Sequence, residues 1–192
     1  MTKIIKTPTL ETARLILQPI GLHHATALEK HFNNWNIIKD LTDRVPWPYP
    51  EGGVTEHLKN DALPRMEKGA ALLWALVLKS APNEAIGRLD FRLEKWENDQ
   101  EERGFWLAEP YWGQGLMTEA VICLNNYVFD VLGRDKITVQ NYKDNIGSHR
   151  VKEKTGAVLI GTKKSKWRGQ NRNIEIWELT AKNWKKFKAE NL

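Results

Sequence analysis

Gly104-Phe105-Trp106-Leu107-Ala108-Glu109-Pro110-Tyr111-Trp112-Gly113-Gln114-Gly115-Leu116-Met117-Thr118-Glu119-Ala120 is the stretch on which the fold turns. A strand-like segment runs into a glycine-bearing turn, and the turn opens directly onto a long helix. That helix is expected over residues 116–132, because Met117, Val121, Leu124, Val128 and Val131 recur at spacings of four and three and make one apolar stripe. Gly133 is placed to end it. The first turn of a helix carries N–H groups without an internal acceptor, and the helix dipole adds roughly half a positive charge there. Glycines at 113 and 115 lack Cβ atoms, so an anion can approach the backbone closely. Each charge-assisted N–H···O bond contributes roughly 1.5–3 kcal/mol, so several together can hold a diphosphate without a lysine. The same glycines also suit a plain strand-to-helix connection. No Gly-Lys-Ser/Thr follows, which excludes a nucleotide P-loop. The third glycine of a dinucleotide-binding fingerprint is missing, and this strand comes fourth in order.

Outward from this stretch the chain alternates strands and helices. Residues 14–19 read as a first strand stopped by Pro19, and residues 23–32 as a helix with Ala27, Leu28 and Phe32 on one face. Trp47-Pro48-Tyr49-Pro50 is too proline-rich for regular helix, whereas residues 55–68 predict a second helix interrupted near Pro64. The continuous apolar run at 72–78 suits a strand buried on both faces, with Ala81-Pro82-Asn83 as the turn after it. Residues 86–93 alternate strictly, with Leu89, Phe91 and Leu93 on one side. A loop at Asn98-Asp99-Gln100 leads into a strand at 102–108. After the long helix come a strand at 136–140, a short helix at 148–154 ended by Gly156, and strands at 157–162 and 174–179. The last two are joined by the basic loop 163–169. This order predicts an α+β (α/β layered) fold with a mixed sheet.

The length of 192 residues suits one domain, residues 1–192, and neither a repeat nor a long linker divides it. With 41% apolar and 28% charged residues and a mean hydropathy of −0.54, the chain is neither disordered nor a membrane protein. The single cysteine, Cys123, excludes a disulfide framework and a cysteine-based zinc site, and no His/Asp/Glu spacing suggests a metal. Nothing near Lys3 and Lys6 resembles a signal peptide, so a cytoplasmic location is expected. The net charge of +5 favours anionic partners only mildly and is not a strong nucleic-acid signal.

Two separated motifs carry a family resemblance. Gly104-Phe105-Trp106-Leu107, followed by Tyr111-Trp112-Gly113-Gln114-Gly115-Leu116-Met117-Thr118-Glu119-Ala120, resembles the acetyl-CoA motif of the GNAT superfamily of acyl-CoA N-acyltransferases. Asn145-Ile146-Gly147-Ser148-His149-Arg150-Val151-Lys152-Glu153-Lys154-Thr155-Gly156-Ala157 resembles its next motif. Glu11–Leu17 is similar to the opening strand, and Trp47-Pro48-Tyr49-Pro50 to the substrate-side loop, of the RimJ/RimL branch of ribosomal-protein-alanine acetyltransferases. The chain departs from the pattern in Glu109-Pro110, where the order is reversed, and in Ala157, where the family has phenylalanine. Neither departure touches the phosphate-binding amides.

The resemblance implies a central, mostly antiparallel sheet of six to seven strands, split between the fourth and fifth and flanked by helices. It implies transfer of an acetyl group from acetyl-CoA to a primary amine in a ternary complex, with a protein or peptide N-terminal α-amine as acceptor. A small amine (antibiotic, polyamine or amino acid) is the alternative acceptor, and a non-catalytic CoA-binding module docking on ribosomes is the alternative outside the enzyme class. By resemblance, Trp106, Leu107 and Ala108 offer backbone groups to the pantetheine arm. Trp112, Gly113, Gln114, Gly115, Leu116, Met117 and Thr118 offer the phosphate amides. Ser148 is the candidate donor to the leaving thiolate, or else a helix cap. Asn145 binds pantetheine or caps the helix. Glu102 is the candidate base, with Glu101 facing the opposite way, and Gln140 stands where some relatives carry a glutamate. Trp47 and Tyr49 are expected to line the acceptor cleft. The chain is expected to be a monomer or a homodimer.

Overall fold

The computed structural model describes residues 4–94 and 102–192; the loop expected at Asn98–Gln100, and Glu101, lie outside them. The elements in chain order are β1 (Leu10–Glu11), β2 (Leu15–Pro19), α1 (Ala25–Phe32), α2 (Trp35–Ile38), α3 (Gly53–His57), α4 (Leu63–Glu67), β3 (Ala71–Leu78), β4 (Ala81–Arg92), β5 (Arg103–Leu107), α5 (Leu116–Asn126), β6 (Lys136–Tyr142), α6 (Ile146–Glu153), β7 (Val158–Trp167), β8 (Gln170–Thr180) and α7 (Ala181–Asn191). Strands β1 to β5 form one antiparallel sheet in sequence order, and β6, β8 and β7 form a second in that order. The short β1 makes the split of the sheet fall between β5 and β6.

The apolar run of β3 is buried on both faces, as its composition requires. Its Leu72, Trp74 and Leu76 face α5 and α7, together with Leu15, Leu17, Leu89 and Phe91. Its Leu73, Ala75 and Val77 face α1 to α4, together with Leu28, Phe32, Ile38 and Leu58. Two helical layers therefore sandwich the first sheet.

Several expectations are corrected. The turn before β4 falls at residues 79–80, and Ala81-Pro82-Asn83 already belongs to the strand. Helices α3 and α4 are joined by a π-type turn, Leu58–Ala62, directly upstream of Pro64. This widened turn accommodates a ring that would otherwise meet the carbonyl four residues earlier. A second π-type turn, Tyr127–Val131, prolongs α5. The widened turn advances the helix phase, so Val131 is 68% exposed and leaves the apolar stripe, while Val128 and Phe129 are buried. The basic loop is a hairpin: β7 and β8 pair as far as Trp167 and Gln170, with left-handed Arg168 and Gly169 at the tip. Helix α7, absent from the sequence reading, starts where Thr180 Oγ1 accepts the Asn183 N–H at 3.1 Å.

Candidate active site

The two sheets meet at one point. Glu102 N–H donates to the Thr138 carbonyl at 3.0 Å, and Glu102 Oε2 accepts the Thr138 N–H at 2.8 Å. Beyond it, β5 pairs with β4 and β6 pairs with β8, and the two strands are not neighbours in either sheet. The result is a cleft closed at Glu102 and open toward Ala108. Ala108 N–H bonds the Ile86 carbonyl and Arg92 N–H bonds the Glu102 carbonyl, each at 2.8 Å. In an antiparallel ladder the bonded residues alternate. Trp106 therefore spends its backbone groups on β4, and Ala108 gives its N–H to Ile86 and its carbonyl to the Tyr111 N–H, while the backbone groups of Phe105 and the Leu107 N–H point into the cleft. Of the three residues expected here, Leu107 alone offers its backbone, and Phe105 joins it. The Leu107 carbonyl accepts the Trp112 indole N–H at 2.6 Å, which folds the turn back over the end of β5.

At the open end the turn becomes α5. Gly113 and Gly115 have φ of 74° and 77°, conformations that L side chains rarely adopt. Gly115 is the helix N-cap and has no side-chain cap, so the N–H groups of Leu116, Met117 and Thr118 head the helix without an intrahelical acceptor. A Cβ on Gly113 would meet nothing within 4 Å, so its outer face is open. Arg14, the residue before β2, braces the turn: Nη1 donates to the Gln114 carbonyl at 3.0 Å, and Nε to Glu119 Oε2 at 2.7 Å. Partial burial alone would raise the Glu119 carboxyl, but hydrogen bonds from Thr12 and Arg14 outweigh it and hold it below its usual range. With Gln114 O turned to Arg14, the loop presents N–H groups outward and a half-exposed guanidinium beside them.

Helix α6 flanks the cleft on the β6 side. Asn145 is its N-cap: Oδ1 accepts the Ser148 N–H at 2.9 Å. Ser148 is thus not the cap, and its Oγ accepts from Lys152 Nζ at 2.8 Å. Farther round the helix, His149 Nδ1 contacts Glu175 Oε2 at 2.8 Å and Nε2 lies 3.3 Å from Glu153.

This geometry is matched by two comparisons. The family model for the acetyltransferase (GNAT) domain covers residues 14–158. The chain belongs to the GNAT acetyltransferase family. No curated protein sequence matches it significantly. Among solved structures, RimL, a ribosomal L7/L12 alpha-N-protein acetyltransferase in complex with coenzyme A, superposes with a TM-score of 0.74 at 20% identity, covering 90% of this chain and 98% of that one. A GNAT-family acetyltransferase from Bacillus anthracis gives 0.73 at 17% identity, with coverages of 91% and 99%. The microcin C7 self-immunity acetyltransferase MccE, in complex with acetyl-CoA and AMP, gives 0.72 at 18%, with 88% and 93%. At these identities the likeness speaks for the fold.

A GNAT acetyltransferase uses acetyl-CoA, and the cradle fits that cosubstrate: outward N–H groups suit a diphosphate, and an unpaired strand edge suits an amide-bearing arm. Among the described residues no group of three or more His, Cys, Asp and Glu is placed to hold a metal, and no helix is long and apolar enough to cross a membrane.

The opposite face of this acetyltransferase is aromatic. Trp106 packs on Phe32 at 4.9 Å between centroids, and Phe32 meets Tyr49 edge-on at 4.7 Å. Trp47 lies 5.2 Å from Trp35, and both are exposed. Tyr49 is therefore largely packed, and Trp47 is the more accessible of the two expected residues. A cavity of about 550 Å³ opens beside Trp35, lined by His31, Asn33, Asn34 and Glu109. The β7–β8 hairpin is tied to the segment after α2: Arg168 Nη2 donates to the Val45 carbonyl at 2.6 Å, and Arg172 holds the Lys39 carbonyl, Asp40 and Asp144. The two arginines of the basic segment thus tie the segment 39–45 to the hairpin, while Lys163, Lys164 and Lys166 are exposed.

On the same face Arg88 is held by Asp90 at 2.8 and 3.1 Å and lies 2.6 Å from His57 Nε2. Arginine only donates, so His57 accepts at Nε2 and carries its proton on Nδ1. Burial, reinforced by the Arg88 charge, lowers the His57 pKa, which keeps it neutral.

The His149–Glu175 contact sets a pH dependence. Hydrogen bonding to Glu175 raises the His149 pKa above 6.5 against a smaller effect of burial. Burial alone would raise Glu175, but hydrogen bonds from His149 and Asn141 bring it below 4.5. The histidine's contribution is complete below 6.5 and is lost as pH rises through its raised folded value. The carboxylate's contribution is complete above 4.5 and is lost as pH falls through its lowered value. Denaturant midpoints across pH are therefore expected to show a plateau between these limits, and His149→Gln is expected to remove the alkaline decline. An unchanged alkaline limb in the variant refutes the assignment.

Proposed function

We propose that this acetyltransferase transfers the acetyl group of acetyl-CoA directly to the N-terminal α-amine of a protein or peptide. The observation that carries the reading is the cavity between α1–α2 and the Glu109-Pro110 turn, which is an open cleft rather than an enclosed chamber. A chain end fits a cleft with an open mouth, and the fold shared with RimL supports the same acceptor class. An α-amine, with an ordinary pKa of about 8, is partly neutral near pH 7 and needs less help than a lysine at about 10.4. The single, half-buried Cys123 suits a reducing, cytoplasmic setting.

The chain's own groups divide the work. The N–H groups of residues 113–118, with Trp112 folding the turn, receive the diphosphate, and the Arg14 guanidinium stands beside them. Phe105 and Leu107 meet the pantetheine amides through their backbone, and an N–H from this edge is placed to stabilise an oxyanion. Acetyl-CoA, when bound, supplies an activated acyl carbon. Asn145 holds the start of α6 in place, and Ser148 faces the departing sulfur as hydrogen-bond donor.

Glu102 acts as a clasp at the closed end of the cleft rather than as the base. Glu102→Gln keeps an acceptor for the Thr138 N–H, so kcat is expected to stay within about threefold of wild type, under 1 kcal/mol. Glu102→Ala leaves that N–H without its partner and is expected to cost about 1–3 kcal/mol of stability. A collapse of kcat in Glu102→Gln, with an unchanged melting temperature, identifies a base instead.

The exposed Trp35–Trp47 pair favours one second reading, a flat small molecule bearing the amine. Incubation with acetyl-CoA and two panels, short peptides with free or blocked N-termini and small amines, read by mass spectrometry, decides between them. Acetylation of free N-termini supports the proposal; turnover confined to the small amines overturns it.

A further inference from the structure

Lys152 is a deeply buried cation, at 2% exposure. Burying an ammonium costs several kcal/mol unless it is hydrogen-bonded or paired. Its Nζ lies 2.8 Å from Ser148 Oγ, one helical turn back on α6, the direction in which helical side chains lean. The same Nζ lies 5.7 Å from the centroid of the Phe105 ring on β5. A cation at that distance is attracted by the ring face. The Lys152 side chain therefore links α6, the helix that follows β6, to β5.

We propose that Lys152 is a positioning residue for the acyl transfer, holding Ser148 so that its hydroxyl proton points at the departing sulfur. The Ser148 oxygen accepts from the ammonium, which has only donors. Its own O–H is thereby directed away from Lys152 and into the cleft. As the C–N bond forms and the C–S bond breaks, the hydroxyl proton goes to sulfur and an ammonium proton passes to the Ser148 oxygen. The neutral Lys152 amine then regains a proton by way of the Ser148 hydroxyl, from the one released by the acceptor amine. Charge and atoms balance, and no further reactant is needed. The inference rests on the acetyl-CoA reading above and adds to it the residue behind the serine.

The test titrates the thiol of bound CoA through the ultraviolet absorbance of its thiolate, in wild type, Lys152→Met and Ser148→Ala. Methionine keeps the length and the contact with Phe105 but removes the charge. The bound thiol is expected to ionise about one unit or more below free CoA in wild type, and close to free CoA in both variants. In turnover, Lys152→Met is expected to lose about tenfold or more in kcat at unchanged KM for acetyl-CoA. The double variant is expected to be no slower than Ser148→Ala alone, because the two groups act in series. Melting curves confirm that each variant is folded, and Lys152→Gln replaces Lys152→Met where that one is not. Identical thiol titrations in all three proteins, with CoA bound, overturn the inference alone. Failure of wild type to bind CoA overturns the acetyl-CoA reading beneath it.

Discussion

Replacing Gly115 by valine is expected to reduce CoA affinity by roughly a hundredfold or more while the protein remains folded. Gly115 stands at φ 77°, where a β-branched residue is strained. A left-handed conformation costs an L residue roughly 1–2 kcal/mol, so the turn relieves it by rotating the peptide groups on either side. Those peptide groups head α5 and include the carbonyl of Gln114, which Arg14 holds. Each charge-assisted bond lost to a phosphate oxygen removes roughly 1.5–3 kcal/mol, and about 1.4 kcal/mol is a factor of ten. Space is not the obstacle, since a Cβ at this position first meets Arg14 Nη2 at 3.6 Å. Gly115→Ala is therefore expected to fall between wild type and valine. Calorimetric titration with CoA, beside a melting curve, measures both halves of this expectation. Affinity within threefold of wild type shows that the diphosphate is held elsewhere.

The second large effect is on stability. Trp184→Ala is expected to cost about 3–5 kcal/mol. The indole is 1% exposed and lies between Phe187, 5.4 Å away and nearly parallel, and Phe129, 6.3 Å away on the turn that prolongs α5. This stack is the attachment of α7 to the core, so its loss frees the C-terminal helix. For a domain of this length the melting temperature is expected to fall by about 10 °C. Trp184→Phe separates shape from hydrogen bonding. The indole Nε1 is buried with no hydrogen-bond partner among the described residues. Phenylalanine therefore sacrifices no bond and is expected to cost under about 1.5 kcal/mol. Equal losses in the two variants overturn the view that ring packing is the source.

The strands of the first sheet and the helix after the glycine turn were legible because their burial is written in local pattern. Strict alternation in β4 and the unbroken apolar run of β3 need no partner to be read, and the cradle follows from a strand, two glycines and a helix in succession. What misled the periodicity argument was a change of period within an element. The π-type turn at Tyr127–Val131 moves Val131 to the surface, and nothing in the spacing of valines announces a wider turn. Helix α7 did carry a signal in Thr180 and in Trp184 and Phe187, three residues apart, but four lysines between Lys182 and Lys188 hid it.

The site divides along the same line. Residues 113–118 and Asn145 lie in contiguous motifs at two helix starts, and that local backbone geometry was legible in the sequence. Arg14 at the cradle, Phe105 in place of Trp106 and Ala108 on the cleft edge, Glu102 as a clasp and Lys152 behind Ser148 depend on which strands pair and which splay. Hydrogen-bond alternation across β4 and β5, and the crossing of a lysine from α6 to β5, join residues far apart in the chain. Local propensity carries the first kind of information. The second exists only once the two sheets have closed on each other, because register and approach are properties of the packed whole.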